Sequence, residues 1–349
     1  MPDISANKNS LIAEKKWLNK ISNHRQIGGI ETYTIGDGNG KGTRIAWLNT
    51  GSGLRIQLVI DRAMDIAGAF HNQHSLSWLS HRGIVPSNPF ATRGTHWLDS
   101  FGGGLLTTCG LTHVGGPEKD EYGERGLHDT ISNIPAEVNT IKQPDLSSQH
   151  PKMSITGTVF QSSVFGPHLK LKRTVSARLG ESVIHVHDEV TNVGNEPAPH
   201  MILYHCNFGW PLVDEGTMLQ WEGDWEAPDK KSRDIFNTSN SFKRCSSPLD
   251  AHRGANEAVA YIDIEPDSNG SCHCGINNSN LGLKLSMEFK KEQLPWLTNW
   301  QHWGRDEYVT ALEPGSHPPI GQTKARKEGS LIHLDVAETK VYDIKVSIN

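Results

Sequence analysis

The sequence predicts an all-β protein, a large antiparallel β-sandwich or barrel. Three observations support this fold class. The 349 residues include 34 glycines and 18 prolines, which supply many turns. Several short stretches alternate apolar and polar residues, and helical periodicity is rare. No repeat, low-complexity tract or linker interrupts the chain, so residues 1–349 are predicted to form a single domain, with 1–50 as an N-terminal cover segment.

The first elements follow from local periodicity. Apolar residues share one helical face over residues 11–21, which predicts a short N-terminal helix or cover segment. Strands are then predicted at 54–61, 64–70, 105–112 and 153–165. Residues 168–210 are interpreted as consecutive antiparallel strands that turn at 179–182 and 192–199, where Gly, Asn and Pro occur. The polar stretches 139–152 and 229–256 are predicted to be loops.

Two alternating stretches near the carboxyl terminus give the clearest strand signals. Residues 281–289 place Leu281, Leu283, Leu285, Met287 and Phe289 on one face of a strand. Residues 340–349 repeat the pattern, and residues 330–338 show it just before. We therefore expect the chain to end in a hairpin whose turn is the segment ETK at 338–340.

Charge and hydropathy exclude several classes of partner. The formal net charge is −5, and no run of Lys or Arg exceeds two residues, so nucleic acid is not expected to bind. No apolar run approaches the roughly 20 residues that a membrane-spanning helix needs. The start of the sequence lacks the apolar region of a secretory signal. A cytoplasmic location is expected if the chain is full length.

The five cysteines are odd in number and sparse, which favours reduced thiols over a disulfide scaffold. The segment CHCG contains Cys272 and Cys274, but no second pair with zinc-ligand spacing lies nearby. It is interpreted as a strand or turn that carries two thiols. No metal or cofactor is expected.

Three segments place ionisable groups where predicted strands end. Arg62 lies among apolar residues between two aspartates, so it is either buried in an ion pair or projects into a cleft as a ligand anchor. His128 lies in a loop flanked by glycine, where bonding to the backbone is the structural alternative to a site. Glu313 ends a predicted strand that Pro314 and Gly315 stop.

Aromatic residues accompany a further histidine and several polar side chains. His205 is followed by Phe208 and Trp210, and aromatic faces suit the C–H face of a sugar ring while also suiting a protein core. The segments 220–226 and 299–304 interleave tryptophans with polar groups. A polyol site needs both kinds of group, so we select from these segments Asp224, Gln301 and Trp303.

Three segments, at 126–128, 191–211 and 310–319, resemble the aldose 1-epimerase (galactose mutarotase-like) superfamily in order and separation. The closest likeness is to an uncharacterised bacterial branch marked by the motifs DRAMDI, GGLLTTCGLTHVGGP and GLHDTISNIPAE. The resemblance extends from about residue 50 to the end. It implies a supersandwich fold with a sugar in a cleft on its concave face.

The resemblance also implies roles for individual residues. Glu313 would be the general base on the anomeric hydroxyl, His205 the general acid at the ring oxygen, and His128 a second histidine beside it. Arg62 and Asp224 would bind substrate, and Trp210, Gln301 and Trp303 are added to the predicted substrate-binding set. Asp129 and Thr130 follow His128 where members of the superfamily have glycines, and Cys206 and Asn207 follow His205. These departures leave open a substrate, and also a reaction, different from those of the galactose enzymes.

The predicted activity is an aldose 1-epimerase-like isomerisation of sugar anomers by acid–base ring opening, which needs neither metal nor nucleotide. The alternatives are an isomerase or lyase acting on an unusual sugar or sugar acid, and a sugar-binding module without turnover. A small-molecule sugar is the expected partner of a monomer or homodimer. A phosphosugar would need a cationic cluster, for which the candidate residues are Arg62, Arg82, Arg93 and Arg305.

Overall fold

The computed structural model describes residues 16–236 and 241–349. Within them the chain is built mainly from antiparallel strands, which form three large sheets and one small hairpin. The prediction of an all-β antiparallel sandwich is confirmed. In this part of the chain, no helix is both long and apolar enough to cross a membrane.

The first sheet contains five strands in sequential order. They are β1 (Gly29–Thr34), β2 (Arg44–Asn49), β3 (Leu54–Val59), β4 (Asp65–His71) and β5 (His74–Ser75). Strands β3 and β4 fall within the segments predicted from the alternation at 54–61 and 64–70, apart from one further residue at the end of β4. This sheet buries one face in the core, as the pattern of β3 shows by hiding Leu54, Ile56 and Leu58.

The second sheet has eight strands and includes the segments with the strongest alternation. In spatial order they are β14 (Met218–Gln220), β17 (Ser271–Asn278), β18 (Leu283–Lys290), β22 (Thr339–Ile348), β12 (Val183–Asn192), β11 (His168–Arg178), β10 (Lys152–Ser162) and β9 (Glu137–Lys142). Strand β18 buries alternate residues along its length, as predicted.

The third sheet has seven strands and carries the site described below. Six follow the order β15 (Gly223–Glu226), β16 (Ala258–Ile264), β19 (Trp296–Gly304), β20 (Glu307–Gly315), β13 (Ala198–Gly209) and β21 (Ile332–Leu334), and β6 (Thr107–Leu111) also pairs with β13. The remaining elements are the hairpin β7 (Glu118–Asp120) and β8 (Gly123–Arg125), the helices α1 (Lys230–Phe236) and α2 (Gln322–Glu328), and short 3-10 helices that include His96–Ser100 and Ile131–Asn133.

The predicted carboxyl-terminal hairpin is wrong, although both of its strands exist. Strand β21 pairs with β13 in the seven-stranded sheet, whereas β22 lies between β12 and β18 in the eight-stranded sheet. The chain therefore crosses from one sheet to the other at residues 335–338. Alternation shows which face of a strand is buried, but it does not identify the strand's neighbours.

Three other predictions need correction. Residues 11–15 of the predicted N-terminal helix lie outside the described residues, and residues 16–20 form a turn in which the Lys20 amide donates to the Trp17 carbonyl at 2.9 Å. Helix α1 lies inside the segment predicted as a loop at 229–256, and β9 occupies the start of the loop predicted at 139–152. The five cysteines all lie in the described residues, and each is a buried free thiol.

A buried ionic network joins the three sheets. Arg173 on β11 uses all five of its N–H donors. Two reach Asp188 on β12 at 2.9 and 2.6 Å, one reaches Asp65 on β4 at 2.8 Å, one reaches Thr108 on β6 at 2.8 Å, and one reaches a backbone carbonyl. The Tyr204 hydroxyl on β13 also donates to Asp188 at 2.7 Å. The network therefore ties the sheet that carries the site to the other two.

Candidate active site

A cavity of about 510 Å³ lies on the face of the seven-stranded sheet that points away from the main core. Strand alternation sends Cys206 and Leu312 into the core and the neighbouring His205 and Glu313 to the opposite face. Strands β13 and β20 pair Cys206 with Leu312, and this register sets His205 directly across from Glu313. The backbone pairing alone therefore brings together two groups that are 108 residues apart, the difference between positions 313 and 205.

The two side chains form a buried acid–base pair. His205 Nε2 lies 3.2 Å from Glu313 Oε1, and the side chains are 9% and 3% exposed. Burial lowers the pKa of His205 to about 3. Burial, with a smaller contribution from the Glu257 carboxylate, raises the pKa of Glu313 well above its ordinary value. Both shifts oppose ionisation and so favour a neutral pair with one shared proton. Transfer of that proton along the hydrogen bond converts the pair to carboxylate and imidazolium.

His128 lies on the loop that covers the other side of His205. The two imidazole centroids are 6.1 Å apart, and both rings face the cavity. Burial is the main cause that lowers the pKa of His128 well below its ordinary value. Its Nδ1 atom is buried, and among the described residues it has no hydrogen-bond partner. His128, His205 and Glu313, which the sequence predicts to share one cleft, are therefore brought together; their catalytic roles stay predictions.

The loop of His128 is held by the residue that follows it. Asp129 Oδ2 accepts hydrogen bonds from the Thr112 amide at 2.9 Å, the Thr112 hydroxyl at 2.6 Å and the Gln161 side chain at 2.7 Å. Both His128 and Asp129 have positive φ angles, 55° and 59°. Such conformations persist in non-glycine residues when surrounding contacts hold them. Asp129 thus supplies an anchor at a position where the superfamily pattern has glycine.

Aromatic side chains form the wall around His205. Its ring centroid lies 5.2 Å from that of Phe101, 5.5 Å from that of Trp300 and 6.2 Å from that of Trp97. Trp78 packs edge-on against Trp300 at 6.3 Å. Apolar ring faces beside polar groups are what a sugar ring requires from a binding site.

The opposite end of the cavity is polar. Glu257, which precedes β16, accepts a hydrogen bond from Trp300 Nε1 at 2.6 Å. Glu307 at the start of β20 lies 3.5 Å from His302 Nε2 and 3.6 Å from His81 Nε2. The cavity therefore has two polar ends, with aromatic residues between them.

Arg62, which the resemblance assigns to substrate, does not reach this cavity. Its guanidinium is buried and donates to the backbone carbonyls of Ser132 and, at 2.9 Å, Ser100. Burial lowers its pKa to about 10. The neighbouring aspartates have other partners, because Asp61 pairs with Arg44 and Asp65 with Arg173. Arg62 therefore braces the two 3-10 helices that carry Trp97 and flank the His128 loop.

The other four predicted substrate residues also lie away from the cavity. Gln301 donates to the Phe242 carbonyl and to Asn299, and Trp303 is in the core. Trp210 is 70% exposed just after β13, and Asp224 is exposed on the edge strand β15. For β19 the reason is strand parity: residues 298, 300 and 302 face the cavity, so 301 and 303 point the other way.

Sequence reasoning missed most of the cavity wall. His302 lies in the segment 299–304, from which only Gln301 and Trp303 are selected. The other cavity residues that the sequence analysis does not identify include Trp78, Trp97, Phe101, Glu257, Tyr261, Thr298, Trp300 and Glu307. The available signal was the alternation of β19, which predicts that Trp300 and His302 share a face once either is placed at a site.

Solved structures with a similar fold support this architecture. A "putative aldose 1-epimerase" from Klebsiella pneumoniae has a TM-score of 0.83 at 22% identity, covering 94% of this chain and 86% of its own. A galactose mutarotase-like protein from Clostridium acetobutylicum has a TM-score of 0.64 at 12% identity over 93% of this chain and 99% of that one. The galactose 1-epimerase of Lactobacillus acidophilus has a TM-score of 0.56 at 13% identity, covering 92% and 98%. The protein therefore has the galactose mutarotase-like fold, as the sequence resemblance implies.

The chain itself belongs to a family described as "Domain of unknown function (DUF4432)", whose model matches residues 40–348. No curated protein matches the sequence. At 12–22% identity, these solved structures establish the fold of this chain but not its activity.

Proposed function

We propose that the protein is a sugar mutarotase or a closely related carbohydrate epimerase, with Glu313 as general base and His205 as general acid. The observation that carries the proposal is the buried His205–Glu313 pair, 3.2 Å apart, at the wall of a cavity large enough for a sugar. Two of the similar structures, a putative aldose 1-epimerase and a galactose 1-epimerase, support the same class of reaction.

The proton content of the pair suits ring opening of a hemiacetal. In its carboxylate–imidazolium form, Glu313 removes the proton from O1 while His205 delivers its Nε2 proton to the ring oxygen. The C1–O5 bond breaks as the C1–O1 double bond forms. After rotation about C1–C2, His205 takes back the ring-oxygen proton and Glu313 returns a proton to O1, which closes the other anomer. The pair begins and ends with one proton.

The surroundings supply orientation. The rings of Trp97, Phe101 and Trp300 pack beside His205 and offer apolar faces to the sugar. His128 lies on the second side, where its imidazole faces the same reacting centre. Positioned groups of this kind are sufficient because uncatalysed mutarotation is not a very slow reaction.

The test is anomer exchange measured by saturation-transfer NMR on a panel of aldoses. Glu313→Gln preserves the side-chain volume, and His205→Asn puts a smaller polar amide in place of the imidazole. Each removes the proton transfer, so we expect each to lower the exchange rate by about a hundredfold or more. Glu292→Gln, in an exposed turn between β18 and β19, is the matched control.

Three results would separate the alternatives. Exchange that survives both substitutions would refute the assigned mechanism. Binding without turnover on any sugar would favour a binding module. Deuterium incorporation at C2 would favour an isomerase or lyase that uses the same pair at carbon.

A further inference from the structure

The polar end of the cavity lies well away from the acid–base pair. Strands β19 and β20 pair Thr298 with Glu313 and His302 with Val309. Four residues of β20 separate these two rows, which corresponds to about 13 Å along the strand. A ring held at Glu313 therefore directs its remote substituents toward this second end.

Carboxylates dominate the charge of the cavity lining. Of the described residues that line the cavity, three are glutamates, namely Glu257, Glu307 and Glu313, and none is a lysine or arginine. The arginines that the sequence offered for a phosphate, Arg62, Arg82, Arg93 and Arg305, are not in that lining. Arg62 and Arg82 use their guanidinium groups on backbone carbonyls.

In the row of Glu313, the cavity wall contains a further buried polar group. Thr298 lines the cavity and is 2% exposed, and its hydroxyl has no hydrogen-bond partner among the described residues. Buried hydroxyls are normally paired, so an unpaired one at a cavity wall suits a ligand hydroxyl. The carboxylate oxygens of Glu257 and Glu307 are likewise acceptors for O–H groups.

We propose that the cavity takes an uncharged sugar and rejects sugar phosphates and sugar acids, because Glu257 and Glu307 place carboxylates at the end toward which the remote substituents of the sugar point. The proposal rests on the proposed function, because it assumes that the anomeric centre lies at Glu313. Of the substrate classes that the sequence leaves open, the proposal selects neutral sugars over sugar phosphates and sugar acids.

The physical basis is the repulsion of like charges, which solvent partly screens because Glu257 is exposed and the Glu307 side chain is 43% exposed. A phosphate or carboxylate placed near Glu257 and Glu307 loses hydration and finds no cationic partner among the lining residues described above. Sugar hydroxyls avoid this cost because they donate hydrogen bonds to the carboxylates. Two glutamates at this position thus favour a neutral ligand without a steric barrier.

The experiment compares the affinities of matched ligands for the full chain by isothermal titration calorimetry at about pH 8, where an ordinary histidine is neutral. The ligands are glucose and galactose, their 6-phosphates and the corresponding uronates. We expect the neutral sugars to bind roughly tenfold or more tightly than their charged forms. The preference should shrink at high ionic strength, because Glu307 is partly exposed.

Substitutions assign the preference to the two glutamates. Glu257→Gln with Glu307→Gln removes both charges and keeps the size of the side chains, so we expect the preference to fall to roughly threefold or less. Glu215→Gln with Glu292→Gln, at two exposed positions outside the cavity lining, removes the same number of charges and should leave the preference intact. Thermal unfolding of each variant checks that it is folded.

Anomer exchange is measured on the same samples, so the two proposals fail separately. Equal or tighter binding of the phosphates or uronates would overturn the uncharged-sugar proposal and leave mutarotation standing. A preference for neutral sugars without exchange would support it and overturn mutarotation. A preference unchanged in the double variant would overturn the role of Glu257 and Glu307, and failure of every sugar to bind would overturn both proposals.

Discussion

Replacement of Arg173 by methionine should be the most damaging single change in the core. Arg173 is 1% exposed, and its removal leaves the carboxylates of Asp188 and Asp65, 0% and 8% exposed, without their cation. Breaking a buried ion pair in this way costs about 3–5 kcal/mol. At roughly 2 °C per kcal/mol for a domain of this length, the midpoint of thermal unfolding should fall by about 6–10 °C.

The measurements are thermal unfolding and urea unfolding, both followed by circular dichroism, with Lys172→Met as the matched control. Lys172 is the adjacent residue on β11, and it pairs with Glu189 at 2.8 Å on the exposed face, with side chains 44% and 34% exposed. An exposed pair contributes about 0–1 kcal/mol, so the control should lose little. If Arg173→Met destabilised the protein no more than Lys172→Met, the reasoning about the buried network would be refuted.

Two further predictions concern His200 and Asp129. His200 donates from Nδ1 to the Leu111 carbonyl and accepts from the Tyr342 hydroxyl, and burial lowers its pKa from 6.5 to about 4. The unfolded histidine binds a proton below about pH 6.5 and the folded one does not, so stability should fall by about 3 kcal/mol between pH 6.5 and 4. His200→Gln should reduce that slope in urea unfolding at several pH values, and an unchanged slope would contradict the assignment. Asp129→Ala removes three hydrogen bonds from the His128 loop and should lower kcat for anomer exchange about tenfold or more, whereas Asp129→Asn, whose amide oxygen can accept the same bonds, should retain most of it; equal losses would argue against a positioning role.

Local periodicity predicted the strands well because burial of one face is a local property of a strand. Leu283, Leu285, Met287 and Phe289 are all buried on β18, as their alternation indicates. Local periodicity did not predict which strands pair with one another. The terminal hairpin failed because β21 and β22 join different sheets, which depends on long-range contacts that no local pattern encodes.

The acid–base residues were selected from the sequence because their types and segments are distinctive, and the fold brings them to one cavity. The substrate-binding residues were poorly predicted because the residue type of a tryptophan or glutamine does not show whether its side chain lies in the core or in the cleft. Trp303 and Trp300 differ only by their position along β19, and the strand sends one to each face. Arg62 resembled a ligand anchor, but its guanidinium donates to the backbone carbonyls of Ser100 and Ser132.

Along β13, β19 and β20, neighbouring residues meet two different requirements, because one side chain packs in the core and the next faces the cavity. On β13 and β20, even-numbered positions such as Cys206 and Leu312 hold the core, and their odd-numbered neighbours His205 and Glu313 face the cavity. On β19 the parity is reversed, and residues 298, 300 and 302 face the cavity. A substitution that retunes the ligand at Thr298 or Tyr261 therefore leaves the packing partners of the core untouched. A sheet arranged in this way can acquire new specificities while it keeps its framework, which makes these strands a suitable starting point for directed evolution toward other sugars.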